Sequence, residues 1–308
     1  MSNRRTFLQQ TGLAAVAALV SQRAFASALG TITAPCVMTK HKIGIQLFTL
    51  RELLMKDVKS TITEVSKIGY NQVETYYGYP GAYETKGFWG LNPKEFKVLL
   101  AQNNLSSPAG HYNTTAFLSK DGTDEVLKSH VETAATVGQK YFIIPGLPAD
   151  LRKNGTLDDY KEMAAKFNTA AELCAANGLK LAYHNHNFEF KDQGNGQTGF
   201  EILLKETDPK LVNFELDLFW AVNAGLDPLA LFANHPGRFK LWHVKDMDKA
   251  DKNVYTEVGT GSIDFKSIFK AAKLSGVEYF LLEQDVIKID PYQSITQSLN
   301  YVKETLLK

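Results

Sequence analysis

The sequence predicts a closed (βα)8 TIM barrel, an α/β fold with eight parallel strands. Three observations carry the prediction. Apolar strand-like runs alternate with helix-period segments from residue 43 to the end, the pattern of a parallel sheet. The alternation runs through eight units of about 33 residues, roughly 265 residues in all, which suits a barrel better than an open doubly wound sheet. No GxGxxG follows the first strand and no GxxxxGK(S/T) occurs anywhere, so the signatures of the open-sheet nucleotide-binding folds are absent.

The expected strands are 43–49, 71–77, 106–112, 140–145, 180–186, 212–219, 239–245 and 278–284. Each is a short run rich in apolar, β-branched and aromatic residues, as buried parallel strands are. Helical patterns fall between them near 57–68, 92–103, 121–137, 157–177, 199–206, 227–234, 264–275 and 291–306. The segment Gly259-Thr-Gly261-Ser-Ile-Asp264-Phe265 reads as a loop and helix start, with Asp264 as the N-cap. A lone GxG is weak evidence for a phosphate site.

The chain before the barrel is expected to be a targeting segment. Asn3-Arg4-Arg5-Thr6-Phe7-Leu8 is a twin-arginine pattern, the apolar stretch Gly12–Val20 follows, and Ala24-Phe25-Ala26 is a small-x-small cleavage site. The apolar core is about half the roughly 20 residues of a membrane span, so no stable anchor is expected. The expected organisation is a signal peptide over 1–26, a polar lead-in over 27–40, and the barrel over 41–308, with the mature protein periplasmic. Without residues 1–26 the chain keeps 31 basic and 33 acidic residues, a net charge of −2. That leaves no basic excess to hold a nucleic-acid backbone. Forty-four per cent apolar content is ample for a core. Cys36 and Cys174 lie in the lead-in and in a helix pattern, and both are read as unpaired.

Four of the strands end in chemistry. They are Lys180-Leu-Ala-Tyr-His184-Asn-His186, Val212-Asn-Phe-Glu215-Leu-Asp217, Phe239-Lys-Leu-Trp-His243-Val-Lys245-Asp246 and Glu278-Tyr-Phe-Leu-Leu-Glu283. Active sites of such barrels sit at the carboxyl ends of the strands. If the four strands are neighbours, His184, Asp217, His243 and Glu283 converge. Two imidazoles and two carboxylates suit a divalent ion such as Mn, Zn, Co or Fe, with Mg also open. A carboxylate in an apolar run such as that around Asp217 costs several kcal/mol unless paired or metal-bound. Side chains alternate along a strand, so Lys245 joins His243 on the inner face and is the expected partner of Glu283 in proton transfer. His186, His111, Glu74 and Gln46 stand at the ends of four strands and are the expected substrate contacts. Glu215, one pleat below Asp217, reads as a buried structural acid, and Glu189 as solvated. Phe48, Tyr76, Tyr77, Phe88, Trp89 and Trp220 lie near loops, where an aromatic face can stack on a sugar.

The order of these ligands, the segment Gly44-Ile-Gln-Leu-Phe-Thr-Leu-Arg51, the HVKD at 243–246 and the GTGSIDF at 259–265 resemble the sugar phosphate isomerase/epimerase family. That family belongs to the xylose isomerase-like TIM barrel superfamily, and the resemblance covers essentially the whole mature chain. It implies a metal held by Glu, Asp, His and Glu on strands five to eight, and a proton passed between two glutamates on opposite faces of a sugar. Asp217, His243 and Glu283 match the last three positions. The first position is usually the Glu of a Glu-Asn-His motif, and here it is His184 of His184-Asn185-His186. Neutral imidazole is a good metal ligand, but only Glu283 of the glutamate pair is left, which counts against two-base epimerisation. The segment Tyr183-His-Asn-His-Asn-Phe-Glu189 also resembles exported members associated with elimination or hydration of 3-keto-glycosides.

The expected function is therefore a divalent-metal-dependent sugar or keto-sugar isomerase/epimerase working through a metal-stabilised enediolate. The alternative is a keto-glycoside lyase or hydratase on the same barrel, and a non-catalytic sugar-binding barrel ranks below both. The partner is a small-molecule sugar or keto-glycoside, not a nucleic acid. An endonuclease IV-like repair enzyme fails on charge, on export and on the number of metal ligands.

Overall fold

The computed structural model describes residues 43–79, 87–194 and 196–308. The targeting and lead-in segments expected over 1–40, Cys36 with them, lie outside the described residues. Eight parallel strands close into a barrel: β1 (Ile43–Gln46), β2 (Gln72–Tyr77), β3 (Ser106–Tyr112), β4 (Tyr141–Ile144), β5 (Lys180–His184), β6 (Val212–Asp217), β7 (Phe239–Val244) and β10 (Tyr279–Leu282). Two further strands, β8 (Asp246–Met247) and β9 (Tyr255–Thr256), pair antiparallel outside the barrel. Each barrel strand pairs with its neighbours in sequence order, and β10 closes on β1. The expected adjacency of β5, β6, β7 and β10 is therefore present.

The barrel interior follows from strand parity. Ala109, Tyr141, Ile143, Ala182, Leu241 and Leu281 form a buried cluster inside, and Ala109, Ala182, Leu241 and Leu281 stand two residues before His111, His184, His243 and Glu283. Gly44 of β1 leaves room for one of them, since a methyl group there would meet Leu281 Cδ2 at 2.5 Å. Alternate residues point out against the helices. Trp242 stacks on Phe232 with centroids 5.1 Å apart and planes at 4°, and its indole N–H donates to Ser275 Oγ.

Strands stop earlier than expected where a side chain captures the backbone. β1 ends at Gln46 because its amide oxygen accepts from Phe48 N–H and starts a turn over Leu47–Leu50. β6 ends at Asp217, whose carboxylate accepts from Trp220 N–H and caps a helix over Leu218–Asn223. Asp264 caps the helix that starts at Phe265 by accepting from Ser267 N–H, as expected. Short helices over Arg51–Lys56, Thr115–Leu118 and Ala149–Asn154 fill loops where the sequence pattern shows no periodic run. Cys174 is buried and free. Among the described residues no helix is long and apolar enough to cross a membrane.

Candidate metal centre

At the carboxyl end of the barrel the strands open into a cleft of about 330 Å³. His111, His184, Lys245 and Glu283 line it, with His186, Arg152 and Asp285 higher on the walls. Phe48, Tyr76 and Trp220 are the expected aromatics that reach it. Tyr77, Phe88 and Trp89 pack among themselves and against Phe96 instead.

Asp217, His243 and Glu283, three of the four expected ligands, come together, and His184 reaches the group through Asp217. His243 Nδ1 lies 2.9 Å from Glu283 Oε2 and 3.9 Å from Asp217 Oδ2. His184 Nε2 is also 3.9 Å from Asp217 Oδ2. Asp217 Oδ2 is buried and makes no hydrogen bond, although Lys245 Nζ stands 3.2 Å away. Asn185 fixes the main chain of Asp217, because its side chain accepts from Asp217 N–H at 3.0 Å and donates to the Asp217 backbone carbonyl at 3.4 Å.

A second layer lies just beneath and was read only in part from the sequence. Glu215 Oε2 is 2.7 Å from His111 Nε2, 3.1 Å from His184 Nδ1 and 3.3 Å from His243 Nε2. Glu74 Oε2 is 2.6 Å from His243 Nε2 and accepts from Gln46 Nε2 at 2.8 Å. Gln46 and Glu74 are fully buried and neither is among the side chains that line the cleft. Glu74 holds His243, and Gln46 in turn holds Glu74. His111 does reach the cleft, and His186 follows β5 rather than ending it. Glu189, expected in solvent, is fully buried.

Among the described residues there are two overlapping donor groups, Asp217–His243–Glu283 above and His111–His184–Glu215–His243 below. Geometry favours the upper one as the ion site. Metal–ligand bonds of about 2 Å set tetrahedral donors roughly 3.4 Å apart. The contacts of Glu215 at 2.7–3.3 Å are hydrogen-bond distances, whereas the 3.9 Å gaps around Asp217 leave room. To admit an ion, Glu283 would have to swing away from His243, and Lys245 would have to give ground at Asp217 Oδ2 and Glu283 Oε2. Filling both groups would require both nitrogens of His184 and of His243 to lose their protons. The upper assignment instead leaves one N–H on each ring to donate to Glu215 or Glu74, the carboxylate–histidine arrangement that orients metal ligands.

Electrostatics agree with a cation here. Glu74, Glu215, Asp217 and Glu283 are buried and Asp285 is partly buried, yet one ammonium, Lys245, serves the group. Burial, with the mutual repulsion of the two carboxylates, pushes Glu74 up to about 7. Burial likewise takes Glu215 to about 7 and raises Asp217. Burial opposes charge on His243 too, but Glu215, Glu283 and Glu74 outweigh it and hold the imidazolium well above its usual range. In His184, burial and the neighbouring imidazoles lower the pKa well below 6.5, so that ring is neutral and able to ligate. The residues present thus fit a divalent ion.

Burial acts to lower the pKa of Lys245, but Asp217, Asp285 and Glu283 overcome it and hold the ammonium well above its ordinary value. Its Nζ lies 2.6 Å from Glu283 Oε2 and 3.0 Å from Asp285 Oδ2. Glu283 is held well below the usual carboxylate range; burial raises it, but Lys245 and His243 prevail.

If the lower carboxylates orient the imidazoles, Glu74→Gln and Glu215→Gln should each weaken divalent-metal binding by about 10- to 100-fold while a saturating ion still binds. Titration calorimetry with zinc or manganese checks this. Unchanged affinity in both variants would remove the orienting role.

Comparison with known proteins agrees with the geometry. Residues 62–305 match the family described as xylose isomerase-like TIM barrel. The chain belongs to this family. An inosose dehydratase of Geobacillus thermodenitrificans is 28% identical over 252 residues, covering 69% of this chain and 82% of that protein. A sugar phosphate isomerase/epimerase from Parabacteroides distasonis superposes with a TM-score of 0.75 at 27% identity, covering 90% of this chain and 99% of that one. The IolI protein, solved with a bound zinc atom, shares the fold at 16% identity and a TM-score of 0.68, covering 86% and 98%. This xylose isomerase-like chain is an enzyme of that superfamily, with a buried His/Glu/Asp cluster that fits a metal site.

Proposed function

We propose that this enzyme acts on a sugar-derived ketone, removing the proton beside the carbonyl and expelling the oxygen substituent one carbon further on. It would be a keto-polyol dehydratase or a keto-glycoside lyase. The observation that carries this reading is the pair formed by Lys245 Nζ and Glu283 Oε2, 2.6 Å apart on one wall of the cleft. An acid and a base side by side serve an elimination on one face of a ring. Burial lowers His186 to about 3 and His184 well below 6.5, so β5 and the turn after it offer the cleft weak bases, and Glu189 of that turn is not among the residues that line it.

His184, Asp217, His243 and Glu283 would hold a divalent ion, which would supply Lewis acidity toward the ketone. Both contacts of Glu283 fall on Oε2, and Oε1 is the oxygen we assign to the departing proton. The C–H bond breaks, a C=C bond forms beside the carbonyl, and the C–O bond of the leaving group breaks. Neutralising Glu283 removes one of the three carboxylates that hold the Lys245 proton, and that proton passes to the leaving oxygen. The proton on Glu283 then returns to Lys245. The similarity to inosose dehydratases supports a loss of water from a cyclic ketone.

A second reading, an isomerase or epimerase on the same site, is supported by the Parabacteroides protein. Proton NMR in deuterated water separates the two, with an inosose, a 3-keto-glycoside and a free ketose as test substrates. Elimination releases water or an alcohol and leaves an unsaturated ketone. Solvent deuterium in an isomer of the substrate, with nothing released, would overturn the elimination reading.

We also propose that residues 1–26 direct export to the periplasm by the twin-arginine route, on the pattern around Arg4 and Arg5. Replacing both arginines by lysine should retain the protein in the cytoplasm. Undiminished periplasmic yield would reject the route.

A further inference from the structure

The segment Tyr183–Glu189 closes on itself, and its last residue has no place in the chemistry above. Glu189 lies in a one-turn 3-10 helix over Phe188–Phe190 and is fully buried. Its Oε1 accepts from the Tyr183 hydroxyl at 2.5 Å. Its two oxygens both face the backbone N–H of His186, at 3.1 and 3.0 Å. A buried carboxylate is costly unless its lone pairs are used, and here they are used on a single turn. That turn carries His186 into the cleft. The imidazole is flanked by Phe188 and Trp220, with centroids at 5.8 and 5.9 Å. Its Nδ1 is buried without a hydrogen-bond partner, and the ring lines the cleft.

We propose that Glu189 is a positioning residue that, through the main chain of His186, aims this imidazole at a hydroxyl or carbonyl oxygen of the bound sugar. Tyr183 completes the device by fixing the carboxylate from the outer side of β5. The chain of contact runs from the helix layer, through Tyr183 and Glu189, to the cleft wall. It bypasses the four metal donors. The proposal rests on the cleft being the substrate site, and the test separates the two ideas.

The test uses the full zinc-loaded protein with histidine ring carbons labelled, and an inosose as the kinetic probe. The His186 ring signal is the one lost in His186→Ala. In Glu189→Ala that signal should shift and broaden, zinc content should stay at the wild-type level, and KM for the inosose should rise about tenfold or more with kcat little changed. Glu189→Gln keeps one acceptor oxygen for the His186 N–H and should restore most of the KM. Tyr183→Phe should reproduce the Glu189→Ala shift in weaker form. In a His186→Ala background, Glu189→Ala should add nothing further to KM, because the two act as one unit. A purely structural Glu189 would lower the melting temperature while leaving the His186 signal and KM where they were, or would raise KM by the same factor with and without His186; either result overturns the proposal. If wild type does not convert the inosose, the function proposed above is at fault, and the His186 signal alone decides the role of Glu189.

Discussion

His243→Ala and Asp217→Asn are expected to abolish tight divalent-metal binding and, with it, turnover. The loss should exceed the roughly 10- to 100-fold that removal of an outer carboxylate costs, because each change deletes a donor. His243 is also the hub of the cluster, within 2.6 Å of Glu74, 2.9 Å of Glu283 and 3.3 Å of Glu215. Its removal leaves buried carboxylates facing one another without the imidazolium, so His243→Ala should melt at a lower temperature than Asp217→Asn. Metal content by atomic spectroscopy and a thermal melt check both statements. Full metal occupancy in either variant would show that the ligand assignment is wrong.

Lys245→Met is expected to keep the metal and lose turnover by a factor on the order of 10²–10⁴, the usual contribution of one proton-transferring group. It also strips Asp217, Glu283 and Asp285 of their common cation. Breaking a buried ion pair by deleting one partner costs about 3–5 kcal/mol. A bound ion neutralises two of those carboxylates, so the destabilisation should be larger in metal-free than in metal-loaded protein. Equal destabilisation in the two states would separate Lys245 from the metal centre, and undiminished kcat would remove it from the chemistry.

The barrel and the rim of the site were legible because they obey short periodicities. Apolar runs of five to seven residues gave the strands, and the polar side chain ending each run marked the cleft. His184, Asp217, His243, Lys245 and Glu283 were found by that rule, and parity within a strand put His243 and Lys245 on one face. The layer beneath was harder to read. Glu215 shares its face with Asp217, so the signal for an inward carboxylate was present, but pairing partners three strands apart are set by barrel closure and not by local sequence. A register shift at Phe214/Glu215 against β7 further decides what this carboxylate meets. Gln46 and Glu74 looked like mouth residues because each is polar and near the end of an apolar run. Their partners are tertiary, Gln46 Nε2 on Glu74 and Glu74 on His243 across the barrel, and local sequence does not show them. Glu189 was missed for a similar reason. A single 3-10 turn has no periodicity to detect, and only that turn folds the carboxylate back onto Tyr183.

An anomalous-difference map from crystals grown with manganese or zinc is the most direct measurement of the account. It should place the ion about 2 Å from His184 Nε2, Asp217, His243 Nδ1 and Glu283, with His184 Nδ1 and His243 Nε2 turned to Glu215 and Glu74. An ion bound instead by His111, Glu215 and the opposite nitrogens of His184 and His243 would contradict it.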